Sequence, residues 1–201
     1  MGKKITKLQP EQIVVLRADT EFSNKELQDL YKAFLKDCPN GTFTQTEFKT
    51  IYCNLFPDGD AEKFSAHVFR TFDVNNDGSI DFREFITALS ITSRGSLEDK
   101  LRWAFTTYDV DNNGYVTRDE MLEILEAVYQ MVGTDNGGTT VEGSGNPKEI
   151  VDKLFTQMDK NQDGRLSMEE FVTSAKKDPT IAKLLQCEEA VRIRTVATPA
   201  T

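Results

Sequence analysis

A twelve-residue pattern of oxygen-bearing side chains occurs three times in this chain of 201 residues. The three copies begin at Asp73, Asp109 and Asp159. Each has Asp at position 1, Asp or Asn at positions 3 and 5, Gly at position 6 and Glu at position 12. Side-chain oxygens at this spacing, together with a main-chain carbonyl at position 7, surround one Ca²⁺ ion, and the glycine allows the bend between the two ligand groups. Three such copies indicate a chain of helix–loop–helix units that binds calcium.

A fourth, broken copy of this loop, the calcium loop of an EF-hand, precedes the other three. It keeps the bend at Gly41 and the position-12 Glu47. Lys36 stands at position 1, where a cation repels Ca²⁺, and Cys38 stands at position 3, where a thiol is a poor ligand for a hard ion. Pro39 at position 4 stiffens the loop further. We expect this first loop to bind no ion and loops two, three and four to bind three.

The predicted ligands of the intact loops occupy positions 1, 3, 5, 7, 9 and 12. They are Asp73, Asn75, Asp77, Ser79, Asp81 and Glu84 in loop two, Asp109, Asp111, Asn113, Tyr115, Thr117 and Glu120 in loop three, and Asp159, Asn161, Asp163, Arg165, Ser167 and Glu170 in loop four. Among these loops, loop two alone has an acid at position 9, Asp81. Because Mg²⁺ is small and keeps several waters, we expect loop two to be the site most able to hold Mg²⁺ in the resting state.

Apolar residues at helical spacing flank every loop, and EF-hands work in pairs joined by a short β-bridge at position 8. The position-8 residues are apolar in all four loops, namely Phe43, Ile80, Val116 and Leu166. The sequence therefore predicts an all-α fold of two lobes, each a pair of EF-hands. The expected segments are an N-terminal arm at 1–21, a first lobe at 22–92, a hinge at 92–95, a second lobe at 96–176 with a mobile insertion at 133–145, and a C-terminal helix and disordered tail at 178–201.

Composition limits the remaining classes of function. The net charge of −9 argues against a nucleic-acid partner, and three divalent ions would neutralise six of those nine charges. Three cysteines, an odd number without zinc spacing, favour a reduced cytoplasmic chain over a disulfide framework. We see no apolar run long enough for a signal peptide or a spanning helix. The sequence has neither a nucleophile–base constellation nor a phosphate-binding glycine loop, so no enzyme is expected.

The first six residues match the N-myristoylation pattern, with Gly2 as the acceptor. Lys3, Lys4 and Lys7 add a small basic cluster to an acidic protein. A solvated tail is one interpretation. The other is a two-part anchor, because one myristoyl chain binds membranes with only about 10⁴ M⁻¹ and nearby lysines add attraction to an anionic surface. The second interpretation predicts a cytoplasmic protein that attaches reversibly to the membrane when calcium rises.

Several segments resemble the neuronal calcium sensor family, of the frequenin, hippocalcin, visinin-like and recoverin type. They are Met1–Lys3, Lys36–Gly41, Phe85–Ser90, Ser93–Phe105 and Tyr129–Gly133. The resemblance implies calcium sensing, a myristoyl group that calcium extrudes, and an apolar groove for an amphipathic helix of a target such as a receptor kinase, a channel or a lipid kinase. By position, the groove would comprise Tyr31, Phe34, Phe48, Tyr52, Phe56, Phe85, Leu89 and Trp103.

Two other functions fit calcium loops. A calcium buffer binds ions but barely opens, and unchanged fluorescence of the dye ANS on adding calcium would favour it. A regulatory subunit of an enzyme or channel would need its partner, and insolubility when expressed alone would favour that interpretation. The aromatic residues are first of all core residues, and they form a groove only if calcium opens the lobe.

Overall fold

The computed structural model describes residues 7–57, 59–132 and 146–186. Gly2, the insertion at 133–145 and the tail from residue 187 lie outside the described residues. Within the described residues the chain forms α1 (Pro10–Asp19), α2 (Asn24–Asp37), β1 (Thr42–Thr44), α3 (Gln45–Leu55), α4 (Glu62–Phe72), β2 (Ser79–Asp81), α5 (Phe82–Arg94), α6 (Leu97–Tyr108), β3 (Tyr115–Thr117), α7 (Arg118–Val132), α8 (Pro147–Met158), β4 (Arg165–Ser167), α9 (Met168–Lys177) and α10 (Pro179–Gln186). No helix in these ranges combines the length and the apolar character needed to cross a bilayer.

The helix that leaves each loop begins inside that loop. In loop four the N–H of Glu170 donates to the Ser167 hydroxyl, and the Glu170 carboxylate accepts from the Ser167 N–H. The same reciprocal capping box begins α3 at Thr44 and α5 at Asp81. Such a cap satisfies helix N–H groups that have no partner within the helix, and each cap stabilises the helix by about 1 kcal/mol.

In each lobe a short antiparallel β-bridge joins the two loops. Phe43 pairs with Ile80 across β1 and β2, and Val116 pairs with Leu166 across β3 and β4. All four side chains are buried. The predicted pairing of loop one with loop two, and of loop three with loop four, is therefore confirmed.

The two lobes have cores of different character. The first lobe is filled by aromatic rings packed edge to face, with Phe34, Phe43 and Phe48 at its centre. The second lobe is largely aliphatic, and an edge-to-face pair of Phe105 and Phe171, with centroids 5.4 Å apart, is set among buried Ile, Leu, Val and Met side chains. Helix α10, expected from its apolar spacing, packs on α9 and α6.

The segment expected to be a hinge between the lobes is mostly helical. Helix α5 runs to Arg94, so only Gly95 and Ser96 separate it from α6. The hydroxyl of Ser93 donates to a carbonyl of the preceding turn, and the Arg94 guanidinium lies 4.2 Å from the centroid of the Phe22 ring. The helix therefore continues past the point that the local sequence suggests, with a local contact at Ser93 and a contact at Arg94 to a residue far away in the chain.

Helix α1 lies in the region expected to be an N-terminal arm, for which no helix was predicted. It buries Leu16 and leaves Val14 and Val15 exposed, so its apolar residues do not follow one face. A guanidinium nitrogen of Arg83 on α5 lies 2.8 Å from the carboxylate of Asp19 on α1. The helix therefore depends on packing against the first lobe rather than on its own periodicity.

Candidate metal centres

Loop three shows how the sequence folds into an ion cradle. The carboxylate of Asp109 at position 1 accepts hydrogen bonds from the N–H groups of Asn113 at 3.0 Å and Gly114 at 2.9 Å. Asp111 accepts from the Asn113 N–H at 3.1 Å, and the Asn113 side-chain oxygen accepts from the Tyr115 N–H at 2.9 Å. The side chains of positions 1, 3 and 5 are thereby turned inward on a loop that folds around them. Loops two and four repeat these bonds.

Two left-handed residues in each intact loop make this turn. Position 6 is glycine, with φ of 85° at Gly114. Position 4 also has positive φ, at 57° for Asn76, 56° for Asn112 and 59° for Gln162. Asparagine tolerates this region better than most residues. Only Pro39 of loop one drew attention to position 4 from the sequence, although the asparagines of loops two and three were a usable signal.

The position-12 glutamate spans the two ends of each intact loop. In loop three one carboxylate oxygen of Glu120 accepts from the Thr117 N–H at 2.8 Å, and the other accepts from the Val110 N–H at 3.0 Å. Glu170 makes the corresponding bonds, and Glu84 accepts from the Asp81 N–H and, in the first half of its loop, from the Asn75 N–H at position 3. Each glutamate is thus a cap partner of the following helix and reaches the first half of the loop.

The ligand oxygens of the intact loops suit calcium. In loop three one carboxylate oxygen from each of Asp109, Asp111 and Glu120 lies within 4.8 Å of the others. Carboxylate, amide and carbonyl oxygens are hard ligands, which Ca²⁺ prefers over nitrogen or sulfur. Hydrogen bonds from Ser79 lower the pKa of the Asp77 carboxyl in loop two, which keeps that ligand ionised. The residues present therefore fit a calcium ion, both in the type of ligand atom and in the close approach of their carboxylates.

Positions 7 and 9 are placed by the short strands. Position 7 residues begin β2, β3 and β4, and the position-9 residues end them. The Arg165 guanidinium at position 7 of loop four lies 4.0 Å from the ring centroid of Tyr115 at position 7 of loop three. The two side chains contact each other across the bridge, and Arg165 Nε also lies 3.4 Å from the Asp163 carboxylate. A guanidinium has no lone pair for a metal ion, so position 7 offers its main-chain carbonyl as the ligand. Asp81, the position-9 acid of loop two, accepts from the Glu84 N–H at 2.8 Å.

Loop one has lost this geometry at its beginning. Helix α2 continues to Asp37, so Lys36 at position 1 is still helical. Cys38 is 1% exposed and packs into the core. Burial raises the pKa of its thiol to about 12, so the sulfur stays protonated. The hydrogen bonds of Glu47 run to Thr44, and among the described residues none reaches the start of the loop.

The predicted groove residues come together in the first lobe and its border. Ring centroids lie 5.4 Å apart for Phe34 and Phe85, and 5.0 Å for Phe48 and Tyr52. Phe34, Phe48, Tyr52 and Leu89 are buried, whereas Tyr31, Phe56, Phe85 and Trp103 are partly buried. The rings fill the lobe in this structure, as the core interpretation expects. Their use as a groove stays a prediction.

The border between the lobes contains polar residues that no sequence pattern indicated. Arg70 of α4 donates to the main-chain carbonyls of Thr107, Asp109 and Val110, at the start of loop three. Burial lowers the pKa of its guanidinium, and nearby carboxylates act in the opposite direction. His67, given no role from sequence, lies 3.3 Å from the carboxylate of Glu123. No local pattern marks such contacts.

Comparison with known proteins agrees with this geometry. The EF-hand domain pair family matches residues 98–176, and the EF hand domain family matches residues 67–92. The chain is 49% identical over 185 residues to neuronal calcium sensor 1 of Lymnaea stagnalis, which covers 92% of this chain and 96% of that protein. The chain belongs to the neuronal calcium sensor family. It is accordingly a calcium sensor with the two-lobed, all-α EF-hand fold, from a family that is generally non-enzymatic.

Proposed function

We propose that this neuronal calcium sensor binds three calcium ions and then presents the aromatic surface of its first lobe to an amphipathic helix of a membrane-associated target. The observation that carries the proposal is the position of Phe85. It follows Glu84, the position-12 glutamate of loop two, in the first turn of α5. Its ring packs against Phe34, Phe43 and Phe72 at the centre of the lobe.

This link gives a physical route from the loop to the surface. A shift of the Glu84 carboxylate toward the other ligands of loop two would turn the start of α5, because the glutamate belongs to that helix. Phe85 and Leu89 would then move away from the rings of α2, exposing apolar area. Opening of this kind distinguishes sensor EF-hands from buffers. The opened surface suits a helix with apolar residues on one face.

The buried hydroxyl of Tyr52 destabilises the closed state of the first lobe. Its hydroxyl is buried and has no hydrogen-bond partner among the described residues. An unsatisfied buried hydroxyl disfavours the closed state by about 1 to 3 kcal/mol. Opening exposes this group to water or to a polar group of the target.

The test uses ANS fluorescence during calcium titration. The dye signal is expected to rise with calcium, and Glu84→Gln is expected to reduce the rise strongly. Tyr52→Phe stabilises the closed state and should also reduce the rise, whereas Tyr129→Phe, which removes a buried hydroxyl of the second lobe, should leave it unchanged. A flat signal in the unmodified protein would instead identify a buffer.

Three ions are proposed, at loops two, three and four, with affinities in the sensor range of about 10⁻⁷ to 10⁻⁵ M. Loop two is proposed to hold Mg²⁺ at rest, supported by its four carboxylates, which include Asp81. In an NMR titration Mg²⁺ should shift the amide of Gly78 before those of Gly114 and Gly164. Glu84→Asp should spare magnesium binding and weaken calcium binding. Titration calorimetry giving four ions, or two, would contradict the number of sites.

A myristoyl group on Gly2 is proposed to make membrane attachment reversible and calcium-dependent. The motif and the lysines support it, and burial of a lipid chain is worth about 0.8 kcal/mol per methylene, so a sheltered chain is preferred at rest. Lipidated protein should sediment with anionic vesicles in calcium and be released by a chelator. Gly2→Ala should stay in the supernatant in both conditions. Equal binding with and without calcium would show a constitutive anchor and would leave the sensor proposal intact.

A further inference from the structure

The border between the lobes is built around α4, the helix that leads into loop two. This helix belongs to the first lobe but packs against α6 and α7 of the second. Its last residue, Phe72, meets Trp103 of α6 edge-on with centroids 5.9 Å apart. The Thr71 hydroxyl lies 3.1 Å from that of Thr107. The two lobes therefore meet where loop three begins.

Arg70 makes the most directed contacts at this border. One guanidinium nitrogen donates to the carbonyl of Thr107 at 2.9 Å, and the other donates to the carbonyls of Asp109, at 3.0 Å, and Val110. Carbonyls in the last turn of a helix have no partner within that helix. The arginine supplies one for α6 and places its cation at the helix C-terminus, where the helix dipole favours it.

These carbonyls belong to the segment that aims the first ligand of loop three. Asp109 caps the end of α6 through its N–H, while its carboxylate accepts the N–H groups of Asn113 and Gly114. A shift of the main chain at 107–110 would therefore displace the carboxylate and open the cradle. In loop four the corresponding carbonyl, that of Gln157, accepts a hydrogen bond from the ammonium of Lys160, a residue of the same loop. Within the ranges described, loop three is the loop held from the opposite lobe.

We propose that Arg70 is a positioning residue for calcium binding at loop three, acting from the first lobe by holding the main chain on both sides of Asp109. The proposal rests on loop three being an ion site. The planar guanidinium fork is the feature that matters, because it joins three carbonyls at once, whereas a lysine ammonium is a point charge on a flexible stem.

The cation also repels a calcium ion, so two effects oppose each other. Asp109, Asp111, Glu120 and Glu123 lie near enough to feel its charge. If the charge dominated, removing it would tighten calcium binding at loop three. If the fork dominates, as proposed, losing the fork weakens binding whether or not the charge is kept.

The experiment compares three variants by site-resolved NMR titration with calcium, following the amide of Gly114. Arg70→Lys keeps the charge and removes the fork, and Arg70→Met removes both. Both are expected to weaken binding at loop three by about tenfold, the lower end of the effect of residues that orient metal ligands. Arg102→Met is the matched control, since Arg102 is an exposed cation of α6 whose guanidinium contacts Glu98 of the same helix. It should leave the affinity within about twofold.

A second readout needs no metal. In chelator, the amides of Asn113 and Gly114 should exchange with solvent faster in Arg70→Lys than in the unmodified protein, because the Asp109 carboxylate that accepts them is less well held. Unchanged exchange and affinity in Arg70→Lys, with tighter binding in Arg70→Met, would overturn the proposal in favour of a charge effect. A loss of stability with unchanged affinity would also overturn it. Failure of the unmodified protein to bind calcium at loop three would refute the ion site itself, a separate result.

Discussion

Loop one and loop three share three features and differ in a fourth. Both have a left-handed glycine at position 6, a glutamate at position 12 and a β-bridge at position 8. In loop three α6 ends at Tyr108, and the side chain at position 3, Asp111, is exposed. In loop one α2 ends two positions later relative to the loop, and the side chain at position 3, Cys38, is buried.

Pro39 accounts for this difference. The intact loops place position 4 at φ between 56° and 59°, which the ring of proline, fixed near −65°, does not allow. Proline also restricts the residue before it to extended conformations. Cys38 accordingly has φ −122° and ψ 78° and turns its side chain into the core. The geometry of a calcium loop can therefore be altered through its backbone as well as through its ligands.

The largest expected effect is a gain of a binding site. Lys36→Asp with Cys38→Asp restores acidic residues at positions 1 and 3, yet this double variant should still bind three ions, because Pro39 prevents the left-handed turn. Adding Pro39→Asn should raise the number to four. Calorimetric stoichiometry measures both. Four ions in the double variant would show that the residues at positions 1 and 3 alone had prevented calcium binding at loop one.

Alanine at the bend glycines should separate folding from binding. Gly41→Ala and Gly114→Ala each place a side chain at φ near +90° or +85°, with no heavy atom within 4 Å of the added carbon. The loss in unfolding free energy without calcium should be similar, about 1 to 2 kcal/mol, because backbone strain is the main cause. Calcium affinity should fall only for Gly114→Ala. Denaturant titration and calorimetry check the two parts, and a much larger loss at Gly41 would show that the loops are not equivalent in the metal-free state.

The helix caps should show a smaller effect of the same kind. Thr44→Ala and Thr117→Ala remove corresponding caps after loops one and three, and each should destabilise the metal-free protein by about 1 kcal/mol. Thr117→Ala should also weaken calcium binding, since the cap holds Glu120. Thr44→Ala should not change calcium binding. A change in calcium affinity in Thr44→Ala would mean that the β-bridge transmits a structural change from loop one to loop two.

The smallest effect concerns the order of titration of two position-12 glutamates. Hydrogen bonds from Thr44 lower the pKa of Glu47 below its ordinary value of 4.5, whereas burial, aided by the charges of Asp81 and Asp73, raises the pKa of Glu84 above it. Glu47 therefore contributes stability above pH 4.5 that is lost as pH falls through its lowered pKa. The contribution of Glu84 is present below its ordinary pKa and is lost as pH rises through the raised one. Carbon-detected NMR of the side-chain carboxyls in chelator should show Glu84 taking up its proton at the higher pH; the reverse order would contradict this comparison.

The features that could be predicted from the sequence are those with local causes. The calcium loops, the caps at Thr44, Asp81 and Ser167, and the apolar position-8 residues are set by residues within about a dozen positions of one another. Their hydrogen bonds close within one loop or one helical turn. The altered start of loop one also has a local cause, since Cys38 and Pro39 lie within that loop, and the absence of an ion there stays a prediction from Lys36 and Cys38.

The features that could not be predicted depend on contacts between residues far apart in the chain. Helix α1 exists because Leu16 and Asp19 find partners in the first lobe, and α5 continues to Arg94 because that side chain reaches Phe22. Arg70 meets the start of loop three across 37 to 40 positions of sequence. Such contacts leave no periodic signature, since they are selected by how helices pack in three dimensions. The sequence therefore predicts each EF-hand well and predicts poorly how one lobe holds the other.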